Sequence, residues 1–378
     1  VSKATQNTGN NDEHLGQLLG MHAFGLEECG LYGRSEDVGL RALELDPLEY
    51  GALWERELAG AGGPNAFAVL AAKNTHLYVE LALDYARAGL HAEALTLLGA
   101  APTPDPLVHY YRAVSLAALG EFAAARGAVA TAEGLSPDGC FPHRVEALLA
   151  LQNAQRLNSE AARAPYYLGN FWYAQRQYDE AIAAWAQARA RDPRFPTVQR
   201  NLGLAYYNKR NDATRALAAY EAAVALDPAD ARVLFEYDQL RKRLNHTPAA
   251  RLATLAQRPL EVARRDDLTV EWLALLNIAG RSEEALATIL ARNFHPWEGG
   301  EGKAPAQYVA ALVNVGLAAL AVALPERAIE TLQRALTFPL SLGEGKLPNA
   351  FDNNVHYWLG RAHQMRHDAG GAIRHFEL

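Results

Sequence analysis

Small and apolar residues recur along this chain with a period of about 34 residues, most clearly between residues 162 and 230. The first copy of the pattern contains Leu168, Gly169, Trp172, Ala181, Trp185, Ala188 and Pro193. The second copy, with one residue inserted near 211–214, contains Leu202, Gly203, Tyr206, Ala216, Tyr220, Ala223 and Pro228. Each copy predicts two antiparallel helices, because small residues allow close approach, aromatic residues fill the remaining space and proline ends the second helix.

One small position of the pattern, where the two helices of a hairpin meet, can be followed along the whole chain. It is occupied by Ser35, Ala94, Ala125, Ala181, Ala216, Ala250, Ala285, Ala328 and Ala372. Spacings of 31 to 35 residues indicate directly abutting hairpins, whereas spacings of 43 to 59 residues indicate insertions. The spacing therefore predicts about nine hairpins.

This pattern resembles the tetratricopeptide repeat family, in which helix hairpins stack on their neighbours. The resemblance implies an all-α fold, a right-handed α-solenoid of about nine repeat-like hairpins with inserted helices and loops. It also implies a function in binding a protein or peptide partner along the first helices of the hairpins.

The spacing divides the chain into six predicted segments. They are a disordered N-terminal segment at 1–14, a degenerate repeat with inserted helices at 15–74, repeats at 75–139, an inserted helix at 140–161, central repeats at 162–265, and C-terminal repeats with two glycine-rich loops at 266–378. The inserted helix is predicted at about 142–157, with one apolar stripe formed by Val145, Leu148, Leu149 and Leu151. Residues 304–325 lack charge but are interrupted by polar residues and prolines, so they predict a buried first helix rather than a membrane span.

Composition narrows the expected partners. The 378 residues carry a net charge of -7 with a pI of about 6.0, which disfavours a nucleic-acid surface, and no membrane partner is expected. Cys29 and Cys140 have no metal-binding or disulfide spacing, which indicates a reducing compartment, and a cytoplasmic location is predicted. The polar N-terminus has no apolar core of the kind that a secretory signal needs.

Polar and aromatic residues on the predicted first helices suggest a ligand-binding groove. In family members that clamp a peptide's C-terminal carboxylate, residues of the types found at Asn170, Asn201 and Arg232 hold that group. The chain departs from this pattern at Tyr166 and Glu236, which replace two cations and weaken the expected clamp. Alternatively, both asparagines simply hydrogen-bond to neighbouring backbone or to solvent. The broader predicted groove contains Asn170, Tyr173, Arg200, Asn201, Tyr207, Asn208 and Arg232.

Two loops, at 294–303 and 339–346, both contain Gly-Glu-Gly-Lys. They carry more polar and aromatic residues than a turn between solenoid helices needs. Their predicted contact residues are His295, Trp297, Glu298, Glu301, Lys303, Glu344 and Lys346. A purely structural interpretation is equally open: Pro296 ends a helix, Trp297 packs back on it, and the glycines permit the turn. The first loop is not a phosphate-binding loop, because it lacks that motif's upstream glycine and the Ser or Thr that follows the Lys.

Nothing in the sequence indicates catalysis. There is no nucleophile motif and no dinucleotide-binding turn. His363 and His367 have helical metal-ligand spacing, but Gln364 stands where the hydrolytic motif has Glu, and packing explains His363. The sequence therefore predicts a non-enzymatic protein without catalytic residues, metal or cofactor.

Four stretches, 164–170, 200–209, 294–303 and 342–346, are also similar to the C-terminal repeat region of large bacterial proteins. Those proteins have an N-terminal mutarotase-like β-sandwich domain of unknown function. The resemblance covers residues from about 47 onward and implies that such a β domain of the same parent protein is a partner. Three hypotheses follow: a protein- or peptide-binding scaffold, an accessory helical region of a carbohydrate-active enzyme, and a self-associating module that forms a homo-oligomer.

Overall fold

The computed structural model describes residues 32–58 and 66–378, and all regular secondary structure in this part of the chain is helical. It comprises 21 α-helices and one short 3₁₀-helix. The chain divides into two compact units, residues 1–193 and 194–378. The predicted disordered segment, the first helix of the degenerate repeat and Cys29 lie outside the described residues. The units divide inside the predicted central repeat segment 162–265, and the six segment boundaries stay predictions.

The first unit contains ten of these helices. They are α1 Tyr32–Leu45, α2 Tyr50–Leu58, α3 Ala66–Ala71, α4 Thr75–Arg87, α5 His91–Ala100, α6 Pro106–Ala118, α7 Phe122–Gly134, α8 Val145–Leu157, α9 Arg163–Ala174 and α10 Tyr178–Arg191.

Three pairs of successive helices in the first unit pack as hairpins: α4–α5, α6–α7 and α9–α10. The fit is closest in α9–α10, where a Cβ added to Gly169 would lie 2.3 Å from the indole of Trp185. Ala181 and Ala188 are completely buried in the same hairpin. Glycine at this position is therefore required by the aromatic side chain of the second helix, as the repeat pattern predicts.

The inserted helix α8 packs on α6, α7 and α9, but with a different face from the predicted one. Ala147, Ala150, Leu151 and Ala154 are completely buried. Of the predicted stripe only Leu151 is buried, whereas Val145 and Leu149 are 64% and 56% exposed. The predicted stripe was wrong because three alanines form the contact face and bring the helix close to its neighbours.

The second unit contains the other eleven α-helices and the 3₁₀-helix. They are α11 Pro196–Arg210, α12 Ala213–Leu226, α13 Ala231–Arg243, α14 Pro248–Ala256, α15 Pro259–Arg264, α16 Asp266–Ile278, α17 Ser282–Leu290, α18 Lys303–Ala321, α19 Pro325–Arg334, a 3₁₀-helix Leu340–Leu342, α20 Asn353–Met365 and α21 Ala369–Phe376.

The close glycine contact recurs in this unit. A Cβ on Gly203, Gly316 or Gly360 would lie within 2.8 Å of a side chain on the second helix of the same hairpin. Those side chains are Tyr220, Leu332 and Phe376. The all-α fold class of stacked helix hairpins is confirmed, and each unit is built by the same contact.

Helix α18, Lys303–Ala321, has the length and apolar composition that crossing a membrane would require. Half of the window that meets this test is buried inside the protein, and the helix pairs with α19 as a hairpin. Ala311 and Leu312 are completely buried. This arrangement agrees with the predicted buried first helix of a repeat.

Candidate functional site

Asn170 and Tyr173, the two predicted groove residues of the first unit, lie on α9 beside Trp185. The Trp185 indole N–H donates to the Asn170 Oδ1 at 3.1 Å and to the Tyr166 carbonyl at 3.2 Å. The Tyr173 ring packs on the same indole, with ring centroids 5.4 Å apart. Asn170 thus accepts a hydrogen bond from the aromatic residue that fills its hairpin, and its role in a groove stays a prediction.

Glu236 on α13 forms the centre of a polar cluster in the second unit. Its carboxylate accepts two hydrogen bonds from the Arg200 guanidinium, at 2.7 and 2.6 Å. The Arg232 Nε and the Tyr220 hydroxyl each donate to it at 3.2 Å. Arg200 also donates to the Asn201 Oδ1 at 3.2 Å. The cluster joins α11, α12 and α13, and the sequence did not indicate that Tyr220 takes part.

The electrostatics of this cluster favour the ionised carboxylate. Burial raises the pKa of Glu236, but hydrogen bonding and charge from Arg200, with the charge of Arg232, outweigh burial and lower that pKa below its usual value. A carboxylate of the chain itself therefore already bonds both groove cations and cancels one of their two charges. A partner's carboxylate would have to compete with Glu236, which argues against the predicted C-terminal clamp.

The other groove residues of this unit remain accessible. Asn208 is exposed and Tyr207 is half-buried near the end of α11. The Arg232 side chain is 63% exposed despite its contact with Glu236. The structure thus brings Arg200, Asn201 and Arg232 into one cluster, with Tyr207 and Asn208 further along α11.

The two Gly-Glu-Gly-Lys loops contact each other, although more than 40 residues separate their matching positions. The Phe294 N–H donates to the Ser341 carbonyl at 2.8 Å. The Gly302 N–H donates to the Glu344 Oε1 at 2.8 Å. Gly343 has a φ of +76°, and a Cβ there would lie 2.4 Å from the Phe294 carbonyl oxygen. We call this contact the loop joint, formed by residues 294–303 and 339–346.

Most of the loop residues that were predicted to contact a ligand contact other residues of the protein. The exposed His295 bonds Asp266 through its backbone N–H at 2.9 Å and its ring Nδ1 at 3.3 Å. Trp297 is half-buried and covers Gly300, where a Cβ would lie 2.0 Å from the indole. Lys346 pairs with Asp352. Pro296 does not end a helix as the structural interpretation predicted, because α17 already ends at Leu290. Whether the loop residues contact a ligand stays a prediction.

Three acidic or basic residues of the first loop are exposed: Glu298, Glu301 and Lys303. The Gly299 N–H donates to the Glu301 Oε1 at 3.1 Å, and backbone hydrogen bonds lower the pKa of this carboxyl. Glu298 and Lys303 are the loop residues whose side chains are most available to a ligand.

A pocket of about 390 Å³ lies between the loop joint and α18 and was not predicted from the sequence. Its apolar floor is formed by α18, and Phe338, Leu347 and Phe351 also line it. Its polar lining residues are Asn314, Lys346, Asp352 and Asn354. The repeat pattern could not reveal this pocket because it depends on residues distant in the sequence.

Within the described residues, no group of three or more His, Cys, Asp and Glu side chains is arranged to hold a metal ion. His363 is buried, and its Nδ1 lies 2.8 Å from the Asp368 Oδ2. His367 instead has a φ of +61° in the turn after α20. Helical spacing suggested that these two histidines share a face, but the helix ends between them.

A family model described as tetratricopeptide repeat matches residues 146–187 and 173–231. Residues 146–231 contain tetratricopeptide repeats. The matched stretch includes α9 to α12, where Gly169 lies against Trp185 and Gly203 lies against Tyr220. The predicted N-terminal β-sandwich domain has no counterpart in this match and stays a prediction.

Solved structures of helical repeat proteins are similar to parts of the chain. The Pseudomonas aeruginosa protein pilF is 19% identical, covering 57% of this chain and 89% of its own, with a TM-score of 0.34. MamA from Desulfovibrio magneticus RS-1 is 21% identical over 51% of this chain and 97% of its own, with a TM-score of 0.30. YrrB, described as a TPR protein with an unusual peptide-binding site, is 19% identical over 56% and 86%, with a TM-score of 0.25. The fold assignment rests on the helices of this chain and on its repeat match.

Proposed function

We propose that this protein is a tetratricopeptide scaffold that binds a protein partner and catalyses no reaction itself. The observation that carries the proposal is the polar surface of α11 and α13 in the second unit. There Arg200, Glu236 and Tyr220 fix one another by hydrogen bonds, while Asn208 and Arg232 remain exposed. An ordered polar surface on the first helices of repeats is typical of a recognition face.

The internal carboxylate of Glu236 shapes the proposed specificity. Because this single carboxylate is shared by Arg200 and Arg232, the surface offers hydrogen-bonding groups and one partly free guanidinium rather than two unpaired cations. We therefore expect a partner segment recognised through backbone amides and neutral side chains rather than through a terminal carboxylate. The carbohydrate-associated and self-associating hypotheses stay alternatives without a specific observation in their favour.

The test is capture of a partner by tagged protein, followed by repetition with the purified partner. Combined Asn208→Ala and Arg232→Ala substitutions should weaken binding at least tenfold, since both side chains are exposed on the proposed face. Arg334→Ala, on the exposed surface of the second helix α19, is the matched control and should bind normally. Equal binding by both variants would contradict the proposed face.

A further inference from the structure

We propose that the pocket between the loop joint and α18 binds a short extended peptide segment that is uncharged and carries one large apolar side chain. This inference rests on the proposed scaffold function and adds a second recognition site with a stated partner chemistry. It gives the paired loops a role that the repeats alone do not explain.

The dimensions of the pocket favour an extended segment. Along α18 the lining runs from Pro305 to Asn314, which corresponds to about 13 Å at the helical rise. That length matches about four residues of extended chain.

The floor allows a backbone to approach closely. Ala306 and Ala310 present only methyl groups, and Val309 and Val313 complete the same face of α18. Three large apolar side chains outside α18 also line the pocket, and one of them, Phe351, is 87% exposed. An exposed aromatic residue beside an apolar floor is suited to close over a bound apolar side chain.

The charge distribution of the pocket selects a neutral ligand. Its only charged lining residues, Lys346 and Asp352, form an ion pair with each other. A charged ligand side chain would have to break this pair or enter an apolar site unpaired. The Asn354 amide instead provides donors and an acceptor for a peptide backbone, and the Asn314 Oδ1 provides a further acceptor.

Asn314 is held in place by the protein. Its Nδ2 donates to the Ser282 hydroxyl at 3.0 Å and to the Asn277 carbonyl at 3.4 Å. The loop joint fixes the opposite wall, because Gly302 bonds Glu344 and Leu347 packs against Gly302. The pocket is therefore formed before a ligand binds, which lowers the entropy cost of recognition.

The probes are acetylated and amidated pentapeptides, Ala-Ala-X-Ala-Ala, with X as Leu, Phe, Asp or Lys. Binding is measured by chemical-shift titration of the asparagine side-chain amides of the whole chain. The Leu and Phe peptides should bind at least tenfold more tightly than the Asp and Lys peptides. Preference for a charged peptide, or no binding by any of the four, would overturn the proposal.

Two variants and one control locate the site. Ala306→Trp fills the floor from an exposed position, and Phe351→Ser removes an exposed ring, so neither should disturb folding. Each should weaken binding of the Leu and Phe peptides at least fivefold. Leu340→Ser is the control, because Leu340 is 99% exposed in the same loop but does not line the pocket.

Other results would be equally decisive. Unchanged peptide binding by both pocket variants would place the peptides elsewhere and overturn the proposal. Concentration-dependent dimerisation that Phe351→Ser abolishes would identify a second copy of the chain as the occupant instead. If partner capture persists while no peptide binds, this inference fails and the proposed scaffold function stands.

Discussion

The α11–α12 hairpin and the loop joint both depend on glycine, but for different physical reasons. In the hairpin, Gly203 has ordinary helical geometry and leaves room for the ring of Tyr220. In the loop joint, Gly343 adopts a positive φ and lies against the backbone of Phe294. A side chain can shift to admit a methyl group, whereas a backbone carbonyl in a packed loop cannot easily do so. The loop joint should therefore tolerate replacement of its glycine by alanine less well than the hairpin does.

Gly343→Ala should have the largest effect on stability. The alanine would have to adopt a left-handed conformation and would also meet the Phe294 carbonyl, so we expect a loss of about 3 kcal/mol in the free energy of unfolding. Urea denaturation measures this loss. Gly345→Ala is the matched control, because a Cβ there meets nothing within 4 Å, and its effect should stay within about 0.5 kcal/mol. Equal losses of unfolding free energy in the two variants would contradict the proposal that the loop joint requires glycine at position 343.

Gly203→Ala should come next. The added Cβ would lie 2.7 Å from the Tyr220 ring, and overpacking of this kind costs about 2 kcal/mol. Gly127→Ala, in an open position of α7, should instead stabilise the protein by about 0.5–1 kcal/mol because alanine favours helix. Thermal unfolding of both variants checks the opposite signs, and the same sign for both would show that steric fit is not the cause.

Glu344→Ala should have a smaller effect. It removes the hydrogen bond from the Gly302 N–H across the loop joint, for which we expect a loss of about 1 kcal/mol. Hydrogen exchange of the Gly302 amide should become faster, while Glu298→Ala, at an exposed position, should leave it unchanged. Unaltered exchange in the Glu344 variant would mean that the glycine geometry alone maintains the joint.

The smallest predicted effect concerns the α20–α21 hairpin, where a histidine pair adds to the contact between Gly360 and Phe376. The Nδ1 atoms of His356 and His375 lie 3.1 Å apart. Burial, followed by the charges of His356, His363 and Arg374, lowers the pKa of His375 from 6.5. The unfolded chain therefore binds more protons than the folded one just below pH 6.5, and stability should fall as the pH falls through that region.

Hydrogen exchange of α21, corrected for the intrinsic pH dependence, measures this effect. The wild-type helix should be less protected at pH 5.5 than at pH 7.5, and His375→Gln should reduce that difference. The nearby Asp368 should not contribute, since hydrogen bonds from the Gly371 N–H and from His363 lower its pKa to about 2. A difference of the same size in the His375 variant would assign the pH dependence to other groups.

The repeat contacts were predictable because each depends on residues close in sequence. Gly169 and Trp185 are 16 positions apart and Gly203 and Tyr220 are 17 apart, distances that the hairpin fixes. The loop joint was not predictable as a contact, because Gly302 and Glu344 are 42 positions apart and no periodicity relates them. The sequence showed that the loops were similar, but only the structure shows that they pack together.

The candidate site was predictable in residue type but not in connectivity. The polar residues of α11 and α13 were identified from their positions on first helices. The sequence could not show that the Glu236 carboxylate bonds both Arg200 and Arg232. This contact depends on the side-chain geometry across α11, α12 and α13. The prediction of the buried face of α8 was wrong for a similar reason. Large apolar residues suggested one face, but the face that packs on the neighbouring helices is formed mainly by alanines.

The most direct test of the proposed scaffold function is site-specific photo-crosslinking in cells. A photoreactive amino acid at position 208, exposed on α11, is compared with one at position 218, exposed on α12. The scaffold proposal predicts a discrete protein adduct at position 208 that Arg232→Ala weakens, with little or none at position 218. Adducts of equal yield at both positions, or at position 218 alone, would contradict the assignment of the first helices as the binding face.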